Sequence, residues 1–217
     1  MSTFNWESFL RQWSQSLASV THEQKKRQPF HLGHLSYSGA IEEQILHAET
    51  RLNIALPPSY REFLTVTNGW YQNTPFVNKF WSTQDIEWFP VRHEIWIDQI
   101  TERYRKQVCT NVDNLVNSSV NGSGHCSNIS SISDEEYFVY GDAQDCSKIR
   151  AEYLKTALEI SEKSNSTIYL LNPQVISADG EWEAWFLGDW LPGADRYQSF
   201  REMMQAEYRN FLEQQDV

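Results

Sequence analysis

The stretch IEEQILHAETRLNIALPPSYREFLTVTNGW, residues 41–70, decides the fold of this chain. An apolar residue recurs every three or four positions in its first part. This spacing predicts an amphipathic helix, capped by Ser38, whose buried side carries Ile41, Ile45, Ala48 and Leu52. The acidic residues between them predict a solvated opposite face.

The second part of the stretch predicts a further helix. Pro57 and Pro58 suit a first turn, because the N–H groups there have no partner inside the helix. Tyr60 and Phe63 would form its apolar face. We expect Asn68-Gly69 to close it, since both residue types tolerate positive φ at a helix C-terminus.

Three further helices are predicted outside this stretch. Apolar spacing indicates one over residues 4–20 and another over residues 93–107. Ser199 and Glu202 have the S-x-x-E spacing of a capping box, so a C-terminal helix should follow them. Its predicted buried stripe is Phe200, Met204, Tyr208, Phe211 and Leu212.

The rest of the chain is typical of short strands. The segments FVNKFW and IEWFPV, between residues 76 and 91, are aromatic and β-prone. From residue 136 onward the predicted strands are EYFVYG, LEIS, STIYLLNP, QVISA and EWEAWFL, and together they indicate an antiparallel sheet. Residues 151–160 suit either helix or strand, and we expect a short helical turn running into a strand. Residues 109–133 are rich in Ser, Asn and Gly, which favours a mobile loop.

The 41–70 stretch resembles the N-terminal signature of the SUKH superfamily, in which a helix with I-x-x-x-E-x-x-L precedes LP-x-x-Y-x-x-FL and NG. The segments YLLNP (169–173), GEWEAW (180–185) and PGADRYQSF (192–200) resemble its C-terminal half. The resemblance covers residues 38–212 and implies a single α+β domain, with N-terminal helices and a C-terminal helix packed on an antiparallel sheet. We therefore divide the chain into an N-terminal helix and basic loop (1–37) and a SUKH-like domain (38–217).

Composition and charge limit the possible functions. The 217 residues include 18 Lys and Arg against 29 Asp and Glu, a net charge of −11, which disfavours binding to nucleic acid phosphates. Mean hydropathy is −0.59 and no apolar run approaches a membrane span of about 18 residues. The first residues lack the pattern of a secretory signal, and three cysteines without C-x-x-C spacing indicate neither a disulfide framework nor a zinc site. We expect a cytoplasmic protein.

No motif indicates catalysis or a cofactor. His31-x-x-His34 is the one close histidine pair, and it lacks a nearby third ligand, so we predict no metal. The sequence has no G-x-S-x-G, phosphate-binding loop or dinucleotide fingerprint. Acid/base pairs such as Asp142 and Asp145 are better explained as solvated turn carboxylates. The resemblance brings no catalytic residues with it, and we predict a protein that is not an enzyme.

The acidic, Trp-rich stretch 179–195 is the predicted partner-binding surface. Residues 134–217 carry 17 acidic and 7 basic side chains, a net charge of −10. Strand alternation would place Trp182 and Phe186 in the core and Trp185 on the exposed side. Buried aromatics supply most interface energy and charge steers encounter, so the predicted binding residues are Asp179, Glu181, Glu183, Trp185, Asp189, Trp190 and Asp195.

The resemblance allows two non-catalytic functions. Bacterial members of the superfamily are similar to antidotes that bind and block a toxin domain, often a nuclease, and fungal members regulate cell-wall assembly. We predict an immunity protein that neutralises a basic toxin by direct binding, because a nuclease needs a cationic cleft. A regulatory scaffold is the alternative, and an enzyme without a recognisable motif stays open.

Overall fold

The structure is a computed structural model that describes residues 4–24, 37–71, 79–116 and 132–214, with the backbone alone for 18–24 and 107–116. Within these ranges the helices are α1 (Trp6–Gln24), α2 (Glu42–Leu52), α3 (Pro58–Val66), α4 (Phe89–Val116), α5 (Asp134–Tyr137) and α6 (Phe200–Glu213). The strands are β1 (Trp70–Tyr71), β2 (Lys79–Phe80), β3 (Glu87–Trp88), β4 (Leu158–Glu159), β5 (Thr167–Ile176), β6 (Trp182–Gly188) and β7 (Ala194–Tyr197). Short 3-10 turns cover Gly141–Ala143 and Ala151–Thr156.

Strands β3 to β7 form one antiparallel sheet in the order β3-β4-β5-β6-β7, and β1 pairs with β2 in a separate two-stranded sheet. Each strand of the larger sheet therefore neighbours the next one along the chain. The longest pairing joins β5 to β6, where Leu170 lies opposite Trp185 and Asn172 opposite Glu183, with a register shift beyond Asn172. The expected α+β class, with helices on an antiparallel sheet, is confirmed.

Both faces of the sheet are buried, each by a different set of helices. One core joins the sheet to α1, α2, α3 and α6, and it contains Trp182, Ala184 and Phe186 of β6. The other core joins the opposite face to α4 and to residues 137–157, and it contains Trp185 and Leu187. The domain is thus a three-layer sandwich, and β6 is buried along its whole length.

Helix α1 packs into the first of these cores. Trp6, Leu10 and Trp13 are almost completely buried, and the Trp6 ring stacks on Phe200 of α6 with centroids 5.5 Å apart. Trp6 Nε1 also donates to a carboxylate oxygen of Glu62 on α3 at 3.2 Å. The periodicity of the N-terminal residues thus reflects a helix that completes the core.

The two helix ends predicted within residues 41–70 differ from those observed. Ile41, and not Ser38, precedes the first turn of α2, and Gln44 Oε1 accepts from its backbone N–H. Helix α3 ends at Val66, where the Thr67 N–H donates to the Phe63 carbonyl. Of the Asn68-Gly69 pair only Gly69 has positive φ, at +97°. The Asn68 side chain instead accepts from the Thr83 N–H at 2.8 Å, which ties the helix end to the turn before β3.

Three other predictions of local structure were wrong. EYFVYG is not a strand, because Ser133 caps α5 and Asp134, Glu135 and Glu136 favour its N-terminal turn. IEWFPV contributes only Glu87–Trp88 to the sheet, since α4 begins at Phe89, immediately before Pro90, which is tolerated in a first helical turn. The predicted loop 109–133 begins too early, as the α4 backbone stays helical to Val116; residues 117–131 lie outside the described ranges.

Other predictions were confirmed. Residues 151–156 form a 3-10 turn that runs into β4, as expected for the ambiguous segment. Ser199 Oγ accepts from the Glu202 N–H, and Glu202 reaches back to the Gln198 N–H, one residue before the predicted position. In the stripe of α6, Leu212 is 39% exposed and was wrongly assigned, whereas Phe200, Met204, Tyr208 and Phe211 are buried.

Candidate interaction surface

The predicted surface 179–195 is divided by β6, which runs through the middle of the domain. Asp179 precedes β6, and Asp189 and Trp190 follow it. Because a strand advances about 3.3 Å per residue, the two ends of β6 are about 20 Å apart. The seven predicted partner-binding residues therefore do not form one patch.

Two of these residues are in the interior. Trp185 is 1% exposed and Glu183 is 1% exposed, so the prediction that their side of β6 faces solvent was wrong. The alternation itself was right, with Trp182 and Phe186 in one core and Trp185 in the other. The sequence suggested an exposed face on the Trp185 side of β6, because it does not show that α4 and residues 137–157 cover this side. Trp190, 52% exposed, is the tryptophan of this stretch that reaches solvent.

Glu183 is the centre of a buried hydrogen-bond network. Its Oε2 accepts from Trp185 Nε1 at 2.6 Å, and the other partners of its two oxygens are Tyr137, Tyr140, Asn172 and Arg196. The pKa values of the Tyr137 and Tyr140 hydroxyls are raised, first by burial and then by the Glu183 charge. The bonds compensate for the removal of the carboxylate from water, so Glu183 has a structural role.

Arg196, also fully buried, extends this network to residues 137–144, which precede β4 in the chain. Its Nη1 donates to the Tyr137 carbonyl at 2.6 Å, and its guanidinium lies 4.2 Å from the Tyr137 ring centroid. The Gln144 side chain accepts from the Arg196 N–H and donates to its carbonyl, each at 2.8 Å. Gln144 thereby occupies the outer edge of β7, where an unpaired strand could otherwise bind another chain.

Glu181 acts on a helix terminus. Its two carboxylate oxygens accept from the Ser59 N–H at 3.0 Å and from the Ser59 hydroxyl at 2.6 Å. Pro57, at the N-cap of α3, has no side chain that can accept a hydrogen bond. Glu181 supplies this cap from across the core, and its charge is favourable at the positive end of the helix. It is a half-buried structural group as well as a surface charge.

Asp189 holds the turn between β6 and β7 against α4. Its carboxylate accepts from Trp96 Nε1 at 2.7 Å, and its backbone carbonyl accepts from Arg103 at 3.3 Å. Leu191 and Pro192 of the turn face Ile100 and Tyr104 of α4 across a shallow groove of about 10 Å³ that opens to solvent. Asp189 is exposed, and Trp190 lies beside it in the turn.

Asp195 and Glu207 form an acidic pair near α6. Burial raises the pKa of Asp195, and burial together with the Asp195 charge raises the pKa of Glu207 to about 7. The Tyr169 hydroxyl donates to the Glu207 carboxylate and opposes this shift. Asp195 is half-buried, so it is not the fully solvated charge that the acidic stretch suggested.

One buried acid, Glu159 of β4, has no recognisable signal in the sequence. Its Oε1 accepts from Trp81 Nε1 at 2.9 Å and from Arg92 at 3.0 Å, and His93 Nε2 lies 3.1 Å from its Oε2. His93 has non-helical backbone angles inside α4, at a kink in the helix. The sequence correctly predicts LEIS as a strand. It does not indicate the partners of the glutamate, because Trp81 and Arg92 are 67 or more positions away.

The described residues include no group of three or more His, Cys, Asp or Glu side chains placed to hold a metal. His31 and His34 lie outside the described ranges. Among the described helices none is long and apolar enough to cross a membrane.

The residues of the 41–70 signature have structural contacts that explain their pattern. Glu49 Oε1 accepts from the Leu56 N–H at 2.8 Å and from Arg61 Nε at 3.0 Å, which joins α2 to the start of α3. A side chain at Gly69 would approach the Phe80 carbonyl to 3.2 Å, in addition to the positive φ. The signature therefore specifies the packing of α2, α3 and the small sheet.

Comparison with known families agrees with this geometry. Residues 39–206 match the SMI1 / KNR4 family (SUKH-1), and the chain belongs to that family. No curated protein and no solved structure matches it. Family membership is consistent with an immunity protein or with a role like that of the SMI1 / KNR4 proteins, and it indicates a protein partner.

Proposed function

We propose that this protein is an immunity protein, which neutralises a basic toxin domain by binding it directly and catalyses no reaction itself. Family membership supports a protein partner. We choose a basic partner because most of the negative charge of residues 134–214 lies on the surface. Of the acidic residues in 134–214, eleven are exposed: Asp134, Glu135, Glu136, Asp142, Asp145, Glu152, Glu162, Asp179, Asp189, Glu202 and Glu213.

Two partly buried cations of the same region neutralise only part of this charge. Lys148 pairs with Glu136 at 3.1 Å, and Arg150 pairs with Asp134. A negative surface of this kind accelerates association with a cationic partner, and the acceleration decreases as salt is added. A nuclease toxin must present cations to hold phosphates, so an acidic binder can cover the same cleft.

The buried carboxylates support a binding role over catalysis. Glu183 accepts hydrogen bonds from five side chains inside the core, and Glu159 is enclosed by Trp81, Arg92 and His93. The contacts of Glu183 and of Glu159 Oε1 are structural, and Glu159 Oε2 lies 3.1 Å from His93 Nε2 without a hydrogen bond among the described residues. We therefore assign function to the exposed surface.

The test is neutralisation of a purified toxin domain encoded next to this gene. We expect a 1:1 complex on size-exclusion chromatography and a loss of toxin activity that is complete at equimolar protein. An unrelated protein of equal net charge serves as the control for non-specific electrostatic inhibition. No complex and unchanged toxin activity would contradict the proposal. A high-salt pull-down that retains only the cell's own regulatory proteins would instead favour the scaffold alternative.

A further inference from the structure

The groove between α4 and the β6–β7 turn combines an apolar floor with an acidic rim. Its floor includes Leu187 and Ile149, and its walls are Ile100 and Tyr104 on one side and Leu191 and Pro192 on the other. The turn that forms the second wall carries Asp189 and the exposed Trp190. Long basic side chains suit such a place, because their methylene groups pack on apolar surface while the charge meets carboxylates.

Carboxylates lie near the opposite wall of the groove as well, and one of them, Glu136, pairs with Lys148. The pKa of Tyr104 is raised to about 12, first by burial and then by the charges of Glu152, Glu136 and Asp145. These three carboxylates are exposed and belong to the segment that packs against α4. Arg103 is the one cation lining the described groove, and it already donates to the Asp189 carbonyl. The guanidinium of Arg103 thus already lies at the edge of the groove in the free protein.

The wall of the groove is fixed before any partner arrives. The Asp189 N–H donates to the Ser166 carbonyl at 3.1 Å, and the Asp189 carboxylate holds Trp96 of α4. Gly193 packs so closely that a Cβ there would lie 2.1 Å from the Cys146 carbonyl oxygen. A preformed wall reduces the ordering cost of binding and places Trp190 where a partner can contact it.

We propose that an arginine or lysine side chain from the toxin packs over the mouth of this groove, with Trp190 packing on the partner surface beside it. The inference rests on the proposed function for the identity of the partner. Exposed tryptophan is a residue type that dominates interface energies, and the acidic rim provides charge complementarity to a cationic cleft. The opposite layer of the domain, with α2, is outside the interface.

A first experiment tests the groove without a toxin. The probe is an acetylated hexa-arginine peptide, titrated into the 15N-labelled protein while the indole N–H signals of Trp96 and Trp190 are recorded by NMR. We expect saturable shifts of both signals, with Trp190 assigned by its absence in Trp190→Phe. Glu152→Lys should raise the Kd of the peptide at least threefold. Glu43→Lys, the same charge change on α2, should leave this Kd unchanged. Equal effects of both variants, or shifts that do not saturate, would overturn the groove assignment.

A second experiment uses the toxin domain and two matched pairs of variants. Trp190→Ala should raise Kd at least tenfold, whereas Leu46→Ala, at a similarly exposed apolar residue of α2, should leave it unchanged. Glu152→Lys should slow association and reduce its salt dependence, and Glu43→Lys should not. Urea unfolding of each variant separates lost binding from lost folding. Tight wild-type binding with no effect of Trp190→Ala and Glu152→Lys would refute the groove alone, whereas failure of the wild type to bind would refute the proposed function.

Discussion

Replacement of Glu207 by Gln should make the protein more stable at neutral pH and less sensitive to pH. Glu207 is 7% exposed, and burial raises its pKa to about 7 from the ordinary value of 4.5. The folded state therefore binds the proton more tightly than the unfolded state. This contribution is fully present below pH 4.5, is lost as the pH rises toward 7, and does not change further above it.

The size of the effect follows from the two pKa values. Each unit of pKa difference corresponds to about 1.4 kcal/mol, so Glu207 alone should lower the free energy of unfolding by about 2 to 3 kcal/mol between pH 5 and pH 8. Glutamine can still accept from the Tyr169 hydroxyl and has no charge to desolvate. The variant should lack this part of the pH dependence.

The assay is urea unfolding at pH 5, 6, 7 and 8, followed by tryptophan fluorescence. Glu213→Gln is the matched control, because Glu213 is an exposed glutamate at the end of the same helix. Asp195, whose pKa is also raised, leaves a residual slope of the same sign in every variant. If Glu207→Gln and the wild type lose the same free energy between pH 5 and pH 8, Glu207 is ionised in the folded state throughout this range and the argument fails.

Three further substitutions test the packing by urea unfolding. Phe63→Ala should cost about 3 to 5 kcal/mol through lost transfer energy and the cavity left behind, and a loss below about 1 kcal/mol would contradict its burial. Arg196→Ala should cost about 3 to 5 kcal/mol, because it leaves the Glu183 carboxylate buried without its cation; near-wild-type stability would show that water reaches the site. Glu181→Ala should cost about 1 kcal/mol through the lost cap of α3, whereas the exposed Asp179→Ala should cost almost nothing, and equal losses would exclude the capping role.

Local signals explain which parts of the fold were predictable. The Ser199 cap and the helical start of α3 depend on residues within four positions of each other, and both were confirmed. The same local view missed β7, whose four residues pair with β6 but show no strand pattern of their own. Local signals also did not identify Glu181 as the cap of α3, because Glu181 is 122 positions from Ser59. Contacts of this range depend on the folded topology.

The candidate surface was predicted less well, because alternation along a strand shows which residues share a face and not what covers that face. Glu183 appeared to be one more charge in an acidic stretch, yet its cation lies 13 positions away on the next strand and its tyrosines lie before β4. Trp185 was assigned to solvent because it shares a side of β6 with Glu183. Both are buried in the structure, because α4 and residues 137–157 cover this side of β6, whereas Asp179, Asp189 and Trp190, which lie outside the strand, are exposed.

The burial of Glu183 and Arg196 changes how the acidic surface should be tested. If the acidic stretch were fully solvated, reversing Glu181, Glu183 and Asp189 together to Lys would affect association alone. In the structure, Glu181 caps α3, Glu183 neutralises Arg196 in the core, and Asp189 binds Trp96. The triple variant should unfold, because two like charges in one buried site cannot be compensated. Slow association of that variant would then reflect lost structure. Charge reversals should therefore be made at exposed carboxylates such as Glu152. There we expect the free energy of unfolding to stay within about 0.5 kcal/mol of the wild type.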